Sequence, residues 1–126
     1  MVTAMRHILI VEDTADHAFL LQTQLNRLHF LTSVCINTFS ILHKVRLGLV
    51  DAITVDINLP SINGIELIRY IRNINKNILV VVITALDDDS KRIEALQAGA
   101  SYYILKPYPM KDLKTIFEPL KNETTD

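Results

Sequence analysis

The 126-residue chain has a single cysteine, no excess of basic residues and no long apolar run. One cysteine excludes an internal disulfide framework and agrees with a reducing cytosol. Cys35 is flanked by Ser33, Val34 and Ile36, so it reads as a small buried hydrophobe rather than a nucleophile. The 13 Lys and Arg against 14 Asp and Glu give a formal charge of −1. That balance argues against a nucleic-acid-coating surface, which carries a basic excess. No stretch approaches the roughly 20 apolar residues that span a bilayer. The opening MVTAMRHILIVEDTAD has neither the apolar core nor the cleavage site of a signal peptide. A soluble cytoplasmic protein is expected, with no direct nucleic-acid or membrane partner. The 4 histidines (His7, His17, His29 and His43) show no metal-ligand spacing, and His17 reads as an exposed or partly buried helical residue.

The composition that is present, 49% hydrophobic, suits one globular domain with a real core. Short β-branched or aliphatic runs occur at His7 to Glu12, Leu31 to Ile36, Ala52 to Asp56, Ile78 to Thr84 and Ser101 to Leu105. The first, third and fourth are nearly unbroken, as in strands covered on both faces. Between them lie stretches of helical spacing. Ala18, Leu21, Leu25 and Leu28 form one apolar stripe, and Ile65, Leu67, Ile68, Ile71 and Ile74 another. DDDSKRIEALQAGA opens with acids and closes on Gly99, a natural C-cap. FSILHKVRLG is a weaker helix, and PMKDLKTIFEPLK is a last one that frays near Pro119. The repeated strand–helix order predicts an α/β fold, a doubly wound, flavodoxin-like three-layer sandwich. Its five-stranded parallel sheet has order 2-1-3-4-5. The expected domain covers residues 1–122, with 123–126 a polar tail or truncated linker.

Ligands of such a sheet sit beyond the carboxyl ends of its strands. Glu12-Asp13 end the first strand, Asp56 the third, Thr84 the fourth and Lys106 the fifth, while the second ends without an ionisable group. Alone, Asp56 fits a cap or turn, Thr84 a helix entry and Lys106 a solvated charge. Independent caps have no reason to converge on one edge, so the set points to a site. Crowded carboxylates seek a cation, and oxygen ligands with room for water suit Mg²⁺. With an ammonium opposite, the set could neutralise a transferring phosphoryl group, Asp56 acting as nucleophile. A nucleotide or flavin domain would want glycine or hydroxyls in the first turn, where EDTADH is acidic and glycine-free. A phosphatase or phosphotransferase would want a second acid after the nucleophile, where Asn58 stands.

ILIVED with Asp13, VDINLPSING with Asp56, Pro60 and Gly64, VVITA with Thr84, and YYILKPY with Lys106-Pro107 resemble the receiver domain of two-component response regulators over essentially the whole chain. The resemblance implies a signalling switch rather than an enzyme. Asp56 would be the phospho-acceptor, supplied by a histidine kinase or phosphotransfer protein. Asp13, Asp56 and the Asn58 backbone carbonyl would ligate Mg²⁺, Glu12 would act through water, and Lys106 would bind the phosphoryl group. It also implies a cis Lys106-Pro107 bond. Thr84 and Tyr103 would be the switch pair, remodelling the surface of the fourth helix, fifth strand and fifth helix. That surface would serve a downstream protein, a missing output domain or a homodimer. A degenerate receiver, acting as a phosphorylation-independent binding module, is the alternative. Asn58 and Leu86 occupy positions that tune dephosphorylation. Glu12 for a second Asp, Leu59 for Met, Tyr108 for Phe and the added Pro109 depart from the common pattern without removing a required group.

Overall fold

The computed structural model describes residues 5–121, so the expected tail at 123–126 lies outside the described residues. Five strands alternate with five helices: β1 (His7–Val11), α1 (Ala15–Arg27), β2 (Leu31–Val34), α2 (Thr38–Arg46), β3 (Ala52–Val55), α3 (Gly64–Ile74), β4 (Leu79–Thr84), α4 (Asp89–Ala98), β5 (Tyr102–Leu105) and α5 (Met110–Lys121). The strands form one parallel sheet of order β2-β1-β3-β4-β5, as the sequence predicts.

Alternation along each strand divides the core into two layers. Leu9, Val11, Ile53, Val55, Val80 and Val82 face one way and meet apolar residues of α2, α3 and α4. Ile8, Ile10, Ala52, Val81 and Ile83 face the other way and meet α1 and α5. Ile8, Leu9 and Ile10 are consecutive and fully buried, because β1 is covered on both sides. Each such side chain contributes about 1.5–3 kcal/mol relative to exposure. The edge strands β2 and β5 are only part-buried. Phe30 and Phe117 close the second layer edge to face, with centroids 6.1 Å apart.

Three expectations change. β2 ends at Val34, so Cys35 lies beyond the sheet edge; it is only part-buried, with its thiol 3.7 Å from the Asn37 carbonyl. α5 runs through Pro119 to Lys121 rather than fraying there. Leu113, Ile116, Phe117 and Leu120 are buried against the sheet, and tertiary packing of that stripe outweighs the one lost backbone bond. The strands also stop one residue before Glu12 and Asp56, which leaves these side chains free of the pleat.

Gly99 caps α4 at φ 122°, and a Cβ there would lie 2.4 Å from Arg72 Cγ. The position therefore demands glycine twice, for backbone conformation and for space.

Candidate functional site

The register delivers the strand-end residues to one edge. Val11 pairs with Val55, so Glu12 and Asp56 follow at the same level. Thr84 pairs with Leu105, which puts Lys106 one step beyond. Ladder bonds continue into the site: the Asp56 N–H donates to the Val11 carbonyl at 3.1 Å, and the Lys106 N–H to the Thr84 carbonyl at 2.8 Å. The sheet thus holds the backbone of both residues. The Lys106-Pro107 peptide bond is cis.

The loop after β3 is equally constrained. Asn58 bridges to Asn63, and Asn63 caps α3 by accepting from the Glu66 N–H at 3.1 Å. Gly64 opens that helix, where a Cβ would stand 2.7 Å from Ile57 Cα. Only glycine lets the helix start lie against the loop. Folded in this way, the loop aims the Asn58 N–H at Asp56 Oδ1, 2.9 Å away.

The Lys106 ammonium sits at the centre. It donates to Glu12 Oε1 and, at 2.9 Å, to Asp56 Oδ2. The three side chains are 15%, 5% and 10% exposed, respectively, so they interact with little screening by water. Burial works to raise the Asp56 carboxyl, but Lys106, the Asn58 N–H and the Thr84 hydroxyl together outweigh it and hold the group below its usual value. Burial likewise opposes the Lys106 charge, yet Glu12 and Asp56 prevail and raise the ammonium above its usual value. Asp56 is therefore an ionised, desolvated carboxylate at neutral pH, one oxygen of which is held by an amide and the other by an ammonium.

Thr84 is fully buried, its hydroxyl accepting from the Leu86 N–H at 3.2 Å. Tyr103 packs part-buried against the first core layer and donates to the Leu86 carbonyl at 2.6 Å. Both candidate switch residues thus hold the same short segment after β4. Tyr102, its neighbour on β5, is exposed. Asp13 is exposed, whereas Glu12 is buried and also accepts from the Thr14 N–H at 3.1 Å. Among the described residues no three His, Cys, Asp or Glu side chains stand grouped to hold a metal ion. A set of two carboxylates and a backbone carbonyl does not require such a group, since Mg²⁺ keeps several waters.

Two residues belong to this neighbourhood beyond the strand-end set. His17, read from sequence as an ordinary helical histidine, places Nδ1 2.9 Å from Lys106 Nζ and 3.6 Å from Glu12 Oε1. Tyr108 donates to Gln24 Oε1 at 2.9 Å, tying the turn after β5 to α1. Burial, and secondarily Glu12, push its phenol up to about 12. Leu20, Leu21, Gln24, Tyr108, His17 and Pro107 line part of a cavity of about 340 Å³ that reaches Asp56. His17 carried one signal, its place in the first turn of α1 just after the acidic pair.

A family model described as the response regulator receiver domain matches residues 8–118. The chain is 32% identical over 106 residues to the transcriptional regulatory protein CusR of Escherichia coli K12, covering 84% of this chain and 47% of that protein. The chain spans about half, or less, of the length of the curated relatives it matches. A CheY-like receiver domain protein from Methanospirillum hungatei superposes with a TM-score of 0.83 at 24% identity, over 93% of this chain and 94% of that one. The receiver domain of a Pseudomonas aeruginosa sensor histidine kinase, solved with magnesium in its active-site cleft, gives 0.82 at 24% identity, over 95% and 100%. The chain belongs to the response regulator receiver family.

Proposed function

We propose that this receiver domain is a phosphoryl-accepting switch in which Asp56 takes a phosphoryl group from a histidine kinase or phosphotransfer protein. The observation that carries the reading is the state of Asp56. A strand-end carboxylate, nearly buried, is kept ionised by Lys106 and oriented by the Asn58 N–H. An Asp56 oxygen attacks phosphorus to form an acyl phosphate while the donor's bond to phosphorus breaks. Lys106 then turns one N–H to a phosphoryl oxygen. The Asp13 and Asp56 carboxylates and the Asn58 carbonyl would hold a Mg²⁺ ion, with Glu12 acting through water. That ion supplies neutralisation of the phosphoryl oxygens when bound. Asn58 and Leu86 border the site and set how long the acyl phosphate survives hydrolysis.

Thr84 and Tyr103 transmit the change. The Thr84 hydroxyl leaves the Leu86 N–H for the phosphoryl group, and Tyr103 repacks as the segment it holds shifts. The surface of α4, β5 and α5 responds. Ile93, Leu96, Tyr102 and Leu105 already stand exposed there, which supports docking of an output domain, a partner protein or a second copy on that side. A cytoplasmic location follows from a kinase donor, and among the described residues no helix is long and apolar enough to cross a membrane.

The test is incubation with Mg²⁺ and acetyl phosphate followed by intact-mass measurement. Wild type gains one phosphoryl group, and Asp56→Asn gains none. Equal gain in both, or none in wild type, overturns the reading.

A further inference from the structure

A protonated lysine has three N–H donors, and all three of Lys106 are occupied. Two go to the carboxylates of Glu12 and Asp56. The third points to His17 Nδ1, 2.9 Å away. The ring nitrogen accepts only in its neutral form, with the hydrogen on Nε2. The three acceptors come from β1's end, β3's end and α1, so no single element can move the ammonium alone. Before Lys106 can donate to an incoming phosphoryl oxygen, one of these bonds must open. The carboxylate bonds are charge on charge and nearly buried. The bond to His17 joins the ammonium to a neutral ring that is half exposed, so it is the weakest of the three.

We propose that His17 is a positioning residue that acts as a latch on Lys106: its Nδ1 holds the third ammonium proton in the resting state and slows phosphoryl transfer to Asp56. The inference rests on the acceptor role proposed for Asp56. His17 touches neither Asp56 nor a phosphoryl group in this geometry; it acts through Lys106. A leucine at position 17 keeps the bulk on α1 but leaves the third N–H without that partner. The ammonium is then free to turn toward the phosphoryl oxygen. An asparagine can place an acceptor oxygen near the same point, because its Oδ1 is the same number of bonds from the backbone as histidine Nδ1.

The experiment measures the rate of acetyl-phosphate phosphorylation with Mg²⁺, by intact mass, for wild type, His17→Leu and His17→Asn. Thermal unfolding of all three is measured in parallel. His17→Leu is expected to phosphorylate roughly two- to tenfold faster, the rate equivalent of one half-exposed hydrogen bond, with its midpoint of unfolding lowered by no more than a few degrees. His17→Asn is expected to return to the wild-type rate. An unchanged or slower rate in His17→Leu overturns the latch. So does a His17→Asn rate as fast as His17→Leu, which would assign the effect to bulk rather than to the accepting nitrogen. Failure of wild type itself to gain a phosphoryl group strikes the proposed function instead, so the two failures are distinguishable.

Discussion

Both edges of this sheet hold a part-buried cation, and they treat it differently. At the amino edge, Arg72 donates to the carbonyls of Ile78 at 2.6 Å, Gly99 at 2.8 Å and Asn75 at 3.3 Å, and to Ser101 Oγ at 3.3 Å. Nearby, Asp51 is met by Arg6 at 3.6 Å and by the His7 N–H at 2.8 Å. At the carboxyl edge, one ammonium is shared by two carboxylates and an imidazole. The first arrangement uses mainly neutral carbonyls fixed by the ends of α3 and α4 and the start of β4. These backbone carbonyls move only with the elements that carry them, so the guanidinium is a staple. The second uses charged side chains whose partner can be exchanged for a phosphoryl group with little movement of the backbone. Burial of charge marks both edges, and only the mobility of the acceptors separates support from function.

The sharpest way to break this comparison is to remove each cation. Arg72→Met keeps the aliphatic stem but leaves several carbonyls without their donor. It is expected to cost about 2–3 kcal/mol in urea unfolding, because bonds from a charged donor to part-buried carbonyls are lost. Phosphorylation by acetyl phosphate should persist under native conditions. Loss of phosphorylation in a folded Arg72→Met protein would mean the two edges are coupled.

Lys106→Met is expected to act less strongly on stability, by about 1–2 kcal/mol at neutral pH, and to reverse the response to acid. In wild type the Asp56 carboxyl lies below its usual 3.8. Its contribution is therefore present above about pH 4 and lost as pH falls through the lower folded value. Without Lys106, burial and the facing Glu12 raise the carboxyl instead. The contribution then appears on protonation and is lost as pH rises. As pH falls, urea midpoints should hold for wild type down to about pH 4 and drop below it, whereas those of Lys106→Met should rise on the way down to about pH 4. Parallel curves would show that Lys106 does not govern the ionisation of Asp56.

The sequence made the shared edge legible and the stapled edge nearly invisible. Glu12, Asp56, Thr84 and Lys106 each close a strand-like run, and the parallel order brings such ends together. Arg72 carried no comparable signal because its acceptors are mostly backbone carbonyls, which every residue type possesses. Gly99 read as a helix stop, and only the packed structure shows that it also makes room for Arg72. His17 is the exposed helical residue the sequence suggests, but its bond to Lys106 was not legible, because the helical phase that turns it there depends on how α1 lies on the sheet. Pro119 misled for a related reason: local propensity says nothing of the four buried residues that carry α5 past it.

Tyr108 gives the finest test of where the mobile region stops. Its hydroxyl spans from the turn after β5 to Gln24 on α1, beside Lys106 in the chain. Yet its partner is a neutral amide, so it should behave like the stapled edge. Tyr108→Phe is expected to cost about 0.5–1 kcal/mol at neutral pH, the worth of one neutral hydrogen bond, and to leave the rate of phosphorylation unchanged. Its phenol, raised to about 12, favours the fold fully below about pH 10, and that contribution is lost as pH climbs through about 12. An ultraviolet titration should therefore lose its step near pH 12 in Tyr108→Phe. A clear change in phosphorylation rate would move the boundary, because it would place the α1 tie at Tyr108 among the groups that set the position of Lys106.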